Sequence, residues 1–366
     1  MALRAGDRGH ARTINGFASL GELPVYDVGV PPILELRALN VELPTPSGWL
    51  CPVNGVDLAL APGEALGIVG ESGSGKTMLA LSLMGLLPEG ARVRGEAWFA
   101  PGDAANAADS RRNLVSLGER ERAALRGHGM AMIFQEPMTS LNPVMRVGSQ
   151  VAEAIRAHDH SSSGGSLSRR EIESRVVEAL SRARVPEPEL RAKQFPHQLS
   201  GGLRQRVMIA MALAGGPRLL IADEPTTALD VTVQEQILEL LSDLRRELGL
   251  ALLFITHDLA VVSKVAERIA VLYAGRVVES GPAQEVLLRP RHPYTEGLLR
   301  ASPTLARRKL QPIPGAVPAL GALPPGCAFE PRCAYRREEC SAAVPRMRLG
   351  GAGHEARCIL VDEARE

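Results

Sequence analysis

Gly70-Glu71-Ser72-Gly73-Ser74-Gly75-Lys76-Thr77 fits the pattern G-x-x-x-x-G-K-[ST]. It stands between a short apolar run, Ala65 to Val69, and a segment with helical spacing, Thr77 to Leu87, stopped by Pro88 and Gly90. Strand, glycine loop and helix in that order cradle phosphate. Glycine lets backbone N–H groups turn inward around a β-phosphate. Lys76 brings a compact positive charge to the β- and γ-phosphates, and the Thr77 hydroxyl can ligate Mg²⁺. The helix beginning there points its positive end at the anion. The plainer reading, a chance glycine turn, does not account for the flanking strand and helix.

Further along, Leu219-Leu220-Ile221-Ala222 ends in Asp223-Glu224. At the carboxyl end of a parallel strand Asp223 can reach a Mg²⁺ shell beside the loop. Glu224 can orient or deprotonate an attacking water. Two solvated acids at a strand end are the bland alternative, and the phosphate loop outweighs it. His257 follows the apolar run Ala251 to Thr256, where it can hydrogen-bond a γ-phosphate; a single His is more often structural. Gln135, in Ile133-Phe134-Gln135-Glu136-Pro137, is a strand-end amide able to contact Mg²⁺ or water, or merely to cap a loop. Ser200 in Leu199-Ser200-Gly201-Gly202-Leu203-Arg204-Gln205-Arg206 is a good helix N-cap, and Gly201 and Gly202 permit close approach to an anion.

Composition narrows the function classes. The 366 residues are 45% hydrophobic and 23% charged, which excludes wholesale disorder. Lys plus Arg total 42 against 41 Asp plus Glu, a net charge of +1, which argues against a nucleic-acid binder working by bulk charge. Aromatics at 3% are thin for base stacking. No run approaches the roughly 20 apolar residues that cross a bilayer, and the first thirty residues lack the apolar core of a secretory signal.

Residues 1–32 read as a flexible tail ending in Pro31-Pro32. From 33 to 289 strands alternate with helices, the signature of an α/β core. Ile33 to Leu43 predicts a strand, Pro44 to Gly48 a turn and Val56 to Leu60 another strand. Residues 101–122 look like a polar surface insertion and Ser161 to Ser168 a second flexible stretch. The region from about 148 to 214 is mostly helical. Val233, Ile237, Leu241, Leu244 and Leu248 mark one helix face, and Ile269–Tyr273 with Arg276–Glu279 predicts a hairpin through Ala274-Gly275. Residues 290–366, rich in Pro, Arg and Cys, form an appended unit.

That unit holds Cys327, Cys333, Cys340 and Cys358, spaced C-x5-C-x6-C-x17-C. In a reducing compartment such a set hints at a metal. Thiolates suit zinc or iron–sulfur; the lack of a C-x2-C pair weakens a zinc ribbon, and free structural thiols are the plain alternative. His354 is either a further ligand or a surface residue. Cys51 stands alone and reads as an ordinary buried or turn cysteine.

Taken in order, Gly70 to Thr77, Gln135, Leu199 to Gln205, Leu219 to Glu224, Ala228-Leu229-Asp230 and His257 resemble the Walker A, Q-loop, signature, Walker B, D-loop and H-switch motifs of ABC transporter ATPases. Phe134 to Pro143, Asp223 to Thr232 and His292-Pro293-Tyr294-Thr295 are similar to the oligopeptide/dipeptide importer branch. The resemblance covers about residues 33–360. It implies a P-loop NTPase cassette, with a RecA-like core and antiparallel β and α-helical subdomains, plus a small Cys-rich C-terminal domain. ATP and Mg²⁺ are the implied cofactors. It further implies that Ser200 and Gly202 cap the γ-phosphate held by a partner chain, and that Asp230 couples two sites across the seam. Glu224, His257 and Gln135 are then catalytic, and Gly70 to Thr77, Ser200 to Gly202, Asp223 and Asp230 bind the nucleotide. A [4Fe–4S] cluster on the four cysteines is implied too, since some importer ATPases hold one. Implied partners are a related, non-identical ATPase, two transmembrane permease subunits and an extracytoplasmic peptide-binding protein, at the cytoplasmic face of the membrane. The motifs leave open another small solute such as nickel, and a soluble ABC ATPase outside transport. Trp49 is the only aromatic between residues 27 and 97. It is therefore the candidate adenine-stacking residue, although its register departs from the family's and a packed or exposed turn Trp serves equally.

Overall fold

A computed structural model of the chain describes residues 31–46, 48–101, 111–135, 140–158, 167–302, 310–350 and 353–361. The expected tail lies outside them through residue 30, as do 102–110 of the polar insertion and Ser161 to Ser166.

The described strands run β1 (Leu34–Thr45), β2 (Gly48–Leu60), β3 (Ala65–Val69), β4 (Arg92–Phe99), β5 (Arg112–Asn113), β6 (Met130–Ile133), β7 (Leu219–Asp223), β8 (Ala251–Thr256), β9 (Arg268–Tyr273), β10 (Arg276–Pro282), β11 (Arg348–Leu349) and β12 (Glu355–Ala356). They make a four-stranded sheet in the order β2-β1-β4-β5 and an eight-stranded sheet in the order β11-β12-β10-β9-β3-β8-β7-β6. Every pair in the first is antiparallel. In the second, β9, β3, β8, β7 and β6 run parallel, and β10, β12 and β11 extend the edge antiparallel.

β3, β7 and β8 are buried along their whole length, as continuous apolar runs require of strands covered on both faces. Their side chains sort by alternation. Leu66, Ile68, Leu219, Ile221, Leu253 and Ile255 join one core with β1, β2 and the helix Lys76–Met84. Ala65, Val69, Leu220, Ala222, Leu252 and Phe254 join a second core with the helices Val147–Ala157, Arg169–Arg182, Gly201–Leu213 and Val231–Leu248. Each fully buried Leu or Ile contributes about 1.5–3 kcal/mol relative to exposure. Ser168 and Glu171 begin Arg169–Arg182 with a reciprocal capping box.

Four local expectations need correction. The helix after the phosphate loop ends at Met84, not Leu87. Gly85 turns left-handed at φ 65 and donates to the carbonyls of Leu81 and Ser82, while Arg126 binds the carbonyls of Met84 and Gly85. Leu248 closes its helix 41% exposed, so the buried face is Ile237, Leu238, Leu240, Leu241 and Leu244. His354 is not a surface residue: it is 1% exposed and its Nε2 lies 2.7 Å from Oε1 of the fully buried Glu279, a hydrogen-bonding partner that lies 75 residues away in sequence. Pro44 sits inside β1, so the predicted turn tightens to the hairpin Thr45–Gly48.

Candidate functional site

The loop Gly70–Gly75 leaves the carboxyl end of β3, and His257, Asp223-Glu224 and Gln135 leave the carboxyl ends of β8, β7 and β6 beside it. Four chemistries separated by up to 187 positions thus meet along one sheet edge because the strands are parallel neighbours. Two glycines are required sterically. A Cβ at Gly70 would meet the Leu272 carbonyl oxygen at 2.2 Å, and one at Gly75, where φ is +105, would meet the Pro52 oxygen at 2.0 Å. Lys76 is buried, and Nζ donates to the carbonyls of Gly70 at 2.7 Å and Glu71 at 3.0 Å. Burial pushes its ammonium pKa down, opposed by Glu224, Asp223 and Glu71. Ser72 and Gly73 form the exposed tip, and Ser74 is buried.

Asp223 is 1% exposed. Burial raises its carboxyl pKa, opposed by a hydrogen bond with the Thr77 side chain. Oδ1 is buried without a hydrogen-bond partner. A carboxylate oxygen orphaned beside a hydroxyl at the mouth of a phosphate loop is a donor set that fits a hard cation such as Mg²⁺.

Glu224 sits in the left-handed region at φ 46, a strained place for a non-glycine residue. Its carboxylate accepts from Thr227 Oγ1 at 3.0 Å and Gln135 Nε2 at 3.4 Å, and lies 3.2 Å from His257 Nδ1. Lys76 Nζ is 4.0 Å away. The hydrogen bond with His257 is the main cause that holds the Glu224 carboxyl below its usual range, and the same bond raises the His257 imidazole. Glu224, His257 and Gln135 therefore stand as one cluster over Lys76. Thr227, absent from the sequence-based candidates, belongs to it.

Ser200 and Asp230 play capping roles here. The Ser200 side chain accepts from Leu203 N, and Asp230 Oδ1 accepts from Val233 N at 2.9 Å. A Cβ on Gly202 would meet Val233 Cγ1 at 2.5 Å, so the glycine lets the two helix starts pack. Ser200 and Gly201 are exposed. Trp49 opens β2, 46% exposed, with the Arg92 guanidinium 3.9 Å over its ring centroid; no bond joins it to the phosphate-loop cluster among the described residues.

Cys327, Cys333, Cys340 and Cys358 line a single cavity with Pro293, Phe329 and Leu360. Burial, reinforced by the other three thiols, pushes the Cys327 pKa up to about 11. Among the described residues no three His, Cys, Asp or Glu side chains are grouped to hold one metal ion. Cys51 is half-buried on β2 and donates to the Val53 carbonyl.

Two residues missed by the sequence reading hold the loop from behind. Tyr294 Oη accepts from Glu71 N at 2.8 Å, and Arg332 grips the Glu71 carboxylate with both terminal nitrogens at 2.7 and 3.1 Å. Tyr294 stands in the His292 to Thr295 stretch quoted above, Arg332 next to Cys333; nothing local in either reveals a partner 223 or 261 residues away.

The chain is similar to known proteins along most of its length. The family described as ABC transporter matches residues 53–227, and that described as oligopeptide/dipeptide transporter, C-terminal region, matches 278–340. A Brucella ovis protein named as a peptide import ATP-binding protein is 48% identical over 91% of this chain and 98% of its own. The oligopeptide transport ATP-binding protein OppD of Bacillus subtilis is 47% identical over 80% of this chain and 79% of its own. An ATP-binding cassette solved as a dimer in a post-hydrolysis state with ADP and Pi superposes with a TM-score of 0.58 at 29% identity, covering 68% of this chain and 98% of that one. The Clostridium perfringens cassette cbiO1, part of an ABC transporter complex, gives 0.54 at 26% identity, covering 71% and 92%. With this cassette fold, an identity near one half and a match along nearly the whole chain, the protein belongs to the ABC transporter ATPases, in the branch that carries the oligopeptide/dipeptide transporter C-terminal region.

Proposed function

We propose that this chain binds and hydrolyses MgATP to drive import of di- and oligopeptides through a membrane complex. The observation that carries the reading is the meeting of Lys76, Asp223, Glu224, His257 and Gln135 at adjacent strand ends, in a chain that also matches the peptide-transporter C-terminal region. Residues 33–289 are the ATPase domain, with a helical subdomain at about 148–214, and 290–366 a Cys-rich C-terminal domain.

In this reading the amides of Gly70 to Thr77, with Glu71 held behind them, wrap the β-phosphate, and Lys76 exchanges its carbonyl partners for the β- and γ-oxygens. Thr77, Asp223 and Gln135 would hold Mg²⁺, which when bound would supply charge neutralisation on the phosphates. Glu224 orients and deprotonates water, and His257 holds that carboxylate and contacts the γ-phosphate. Ser200 and Gly201 lie exposed and Gly202 half-buried at a helix start, suited to cap nucleotide on a related, non-identical partner chain, with Asp230 at the seam. Trp49 stacks adenine once Arg92 swings aside.

Among the described residues no helix is long and apolar enough to cross a membrane. In this reading the transport path belongs to two permease subunits, with an extracytoplasmic peptide-binding protein and this chain at the cytoplasmic face. Four soft thiol donors on one cavity fit a [4Fe–4S] cluster better than zinc. The spacing C-x5-C-x6-C-x17-C, which lacks a C-x2-C pair, is what favours the cluster over a zinc ribbon in this reading. Bound iron would lower the Cys327 thiol pKa that burial now raises.

The test is co-purification with the permeases, followed by ATPase assay with peptide-loaded binding protein. Turnover stimulated by loaded binding protein, and lost in Lys76→Ala, is expected. Turnover indifferent to peptide would sink the import reading.

A further inference from the structure

The phosphate loop is braced from the cysteine-lined segment. Arg332 ends a short 3-10 turn, Glu330–Arg332, and is followed at once by Cys333. Its side chain is 4% exposed, against 29% for Glu71. All three guanidinium nitrogens are engaged: two on Glu71, one of these also on Tyr273 Oη at 3.3 Å, and Nε on the Pro314 carbonyl at 3.0 Å. Tyr294 is fully buried and accepts from the Glu71 amide. Tyr273, Tyr294 and Phe329 pack ring against ring with centroids 4.5 to 5.4 Å apart, and Phe329 lines the cavity shared with the four cysteines. Cys327 N in turn donates to Cys340 O at 2.7 Å. A planar fork held at all three nitrogens fixes its partner in direction as well as distance, so Glu71, the second residue of the loop, is pinned through both side chain and backbone.

We propose that Arg332 and Tyr294 are positioning residues of the phosphate loop, through which the cysteine-lined segment sets nucleotide affinity. The second half of that statement rests on the ATPase reading; the first does not. Neither side chain needs to touch nucleotide. They hold the loop in its binding-competent shape, so loosening them lowers the competent fraction and weakens apparent affinity in proportion.

The experiment uses the full chain with Arg332→Met, Arg332→Lys, Tyr294→Phe, Glu71→Gln and the double variant Glu71→Gln/Arg332→Met. Amide hydrogen exchange over residues 70–76 is read without nucleotide, and MgATP affinity by direct titration. Loss of the fork should speed exchange in that segment and weaken binding about tenfold, with the loss in KM rather than kcat. Arg332→Lys, which keeps the charge without the fork, should recover only part, and the double variant should be no weaker than the worse single. Tyr294→Phe removes one hydroxyl and guards against a misfolded Arg332→Met. Unchanged exchange and affinity in Arg332→Met and Tyr294→Phe, or additive losses in the double variant, would overturn the proposal. A wild-type chain that fails to bind MgATP while the segment still loosens in the variants would overturn the ATPase reading and support the brace.

Discussion

Replacing Glu224 by Gln removes one negative charge and keeps the shape. In the structure that carboxylate accepts from Thr227 and Gln135, meets His257 at 3.2 Å and lies 4.0 Å from Lys76. An amide cannot take a proton from water. The general-base contribution of about 10²–10⁴ in rate is lost, or roughly 3–5 kcal/mol of barrier at 1.36 kcal/mol per decade. Binding should move the other way. Lys76 is no longer drawn toward Glu224, so MgATP should bind as tightly as before or tighter, and the uncleaved nucleotide should hold two chains together. The left-handed backbone at residue 224 is no worse for Gln than for Glu, so the melting temperature should shift by only a few degrees, as for a change of about 1 kcal/mol. Phosphate release, equilibrium nucleotide binding and light scattering with MgATP measure the three effects. Turnover within about threefold of the wild type would refute Glu224 as the base.

Gly75→Ala should weaken nucleotide binding at least tenfold in a titration, since its Cβ would lie 2.0 Å from the Pro52 oxygen at φ +105. The His257–Glu224 contact has a defined pH window. His257 is raised above its ordinary 6.5, so its share of stability is full below that value and fades as pH rises through the folded pKa; Glu224 is lowered from 4.5, so its share fades only as pH falls through the lower value. Denaturation of wild type and His257→Ala should therefore differ most between those limits, and NMR titration of His257 in Glu224→Gln should give a lower pKa. Protein purified without oxygen should be brown through Cys327, Cys333, Cys340 and Cys358; colourless protein with four titratable thiols and no metal would refute the cluster.

What the sequence made legible was local. Ala65 to Val69, the phosphate loop and Ala251 to Thr256 lie where expected because a buried parallel strand is written as an unbroken apolar run. Asp223, Glu224, His257 and Gln135 were readable one by one, since each closes such a run. Their union depended on the order β3-β8-β7-β6, which no single segment encodes. The errors have the same origin. Gly85 ended a helix whose leucines continued its period. His354 looked exposed because Glu279, its buried partner, is 75 residues away. The grip of Arg332 on Glu71 spans 261 residues and has no local signature.

The most direct test of the whole account is uptake of labelled peptide into proteoliposomes that contain this chain with the proposed partner ATPase and permeases, with binding protein on the outside and MgATP on the side of this chain. Peptide should accumulate with ATP, cease with ADP, and fail with the Glu224→Gln or Lys76→Ala chain. Accumulation that survives both substitutions, or ATP hydrolysis with no peptide movement, would contradict it.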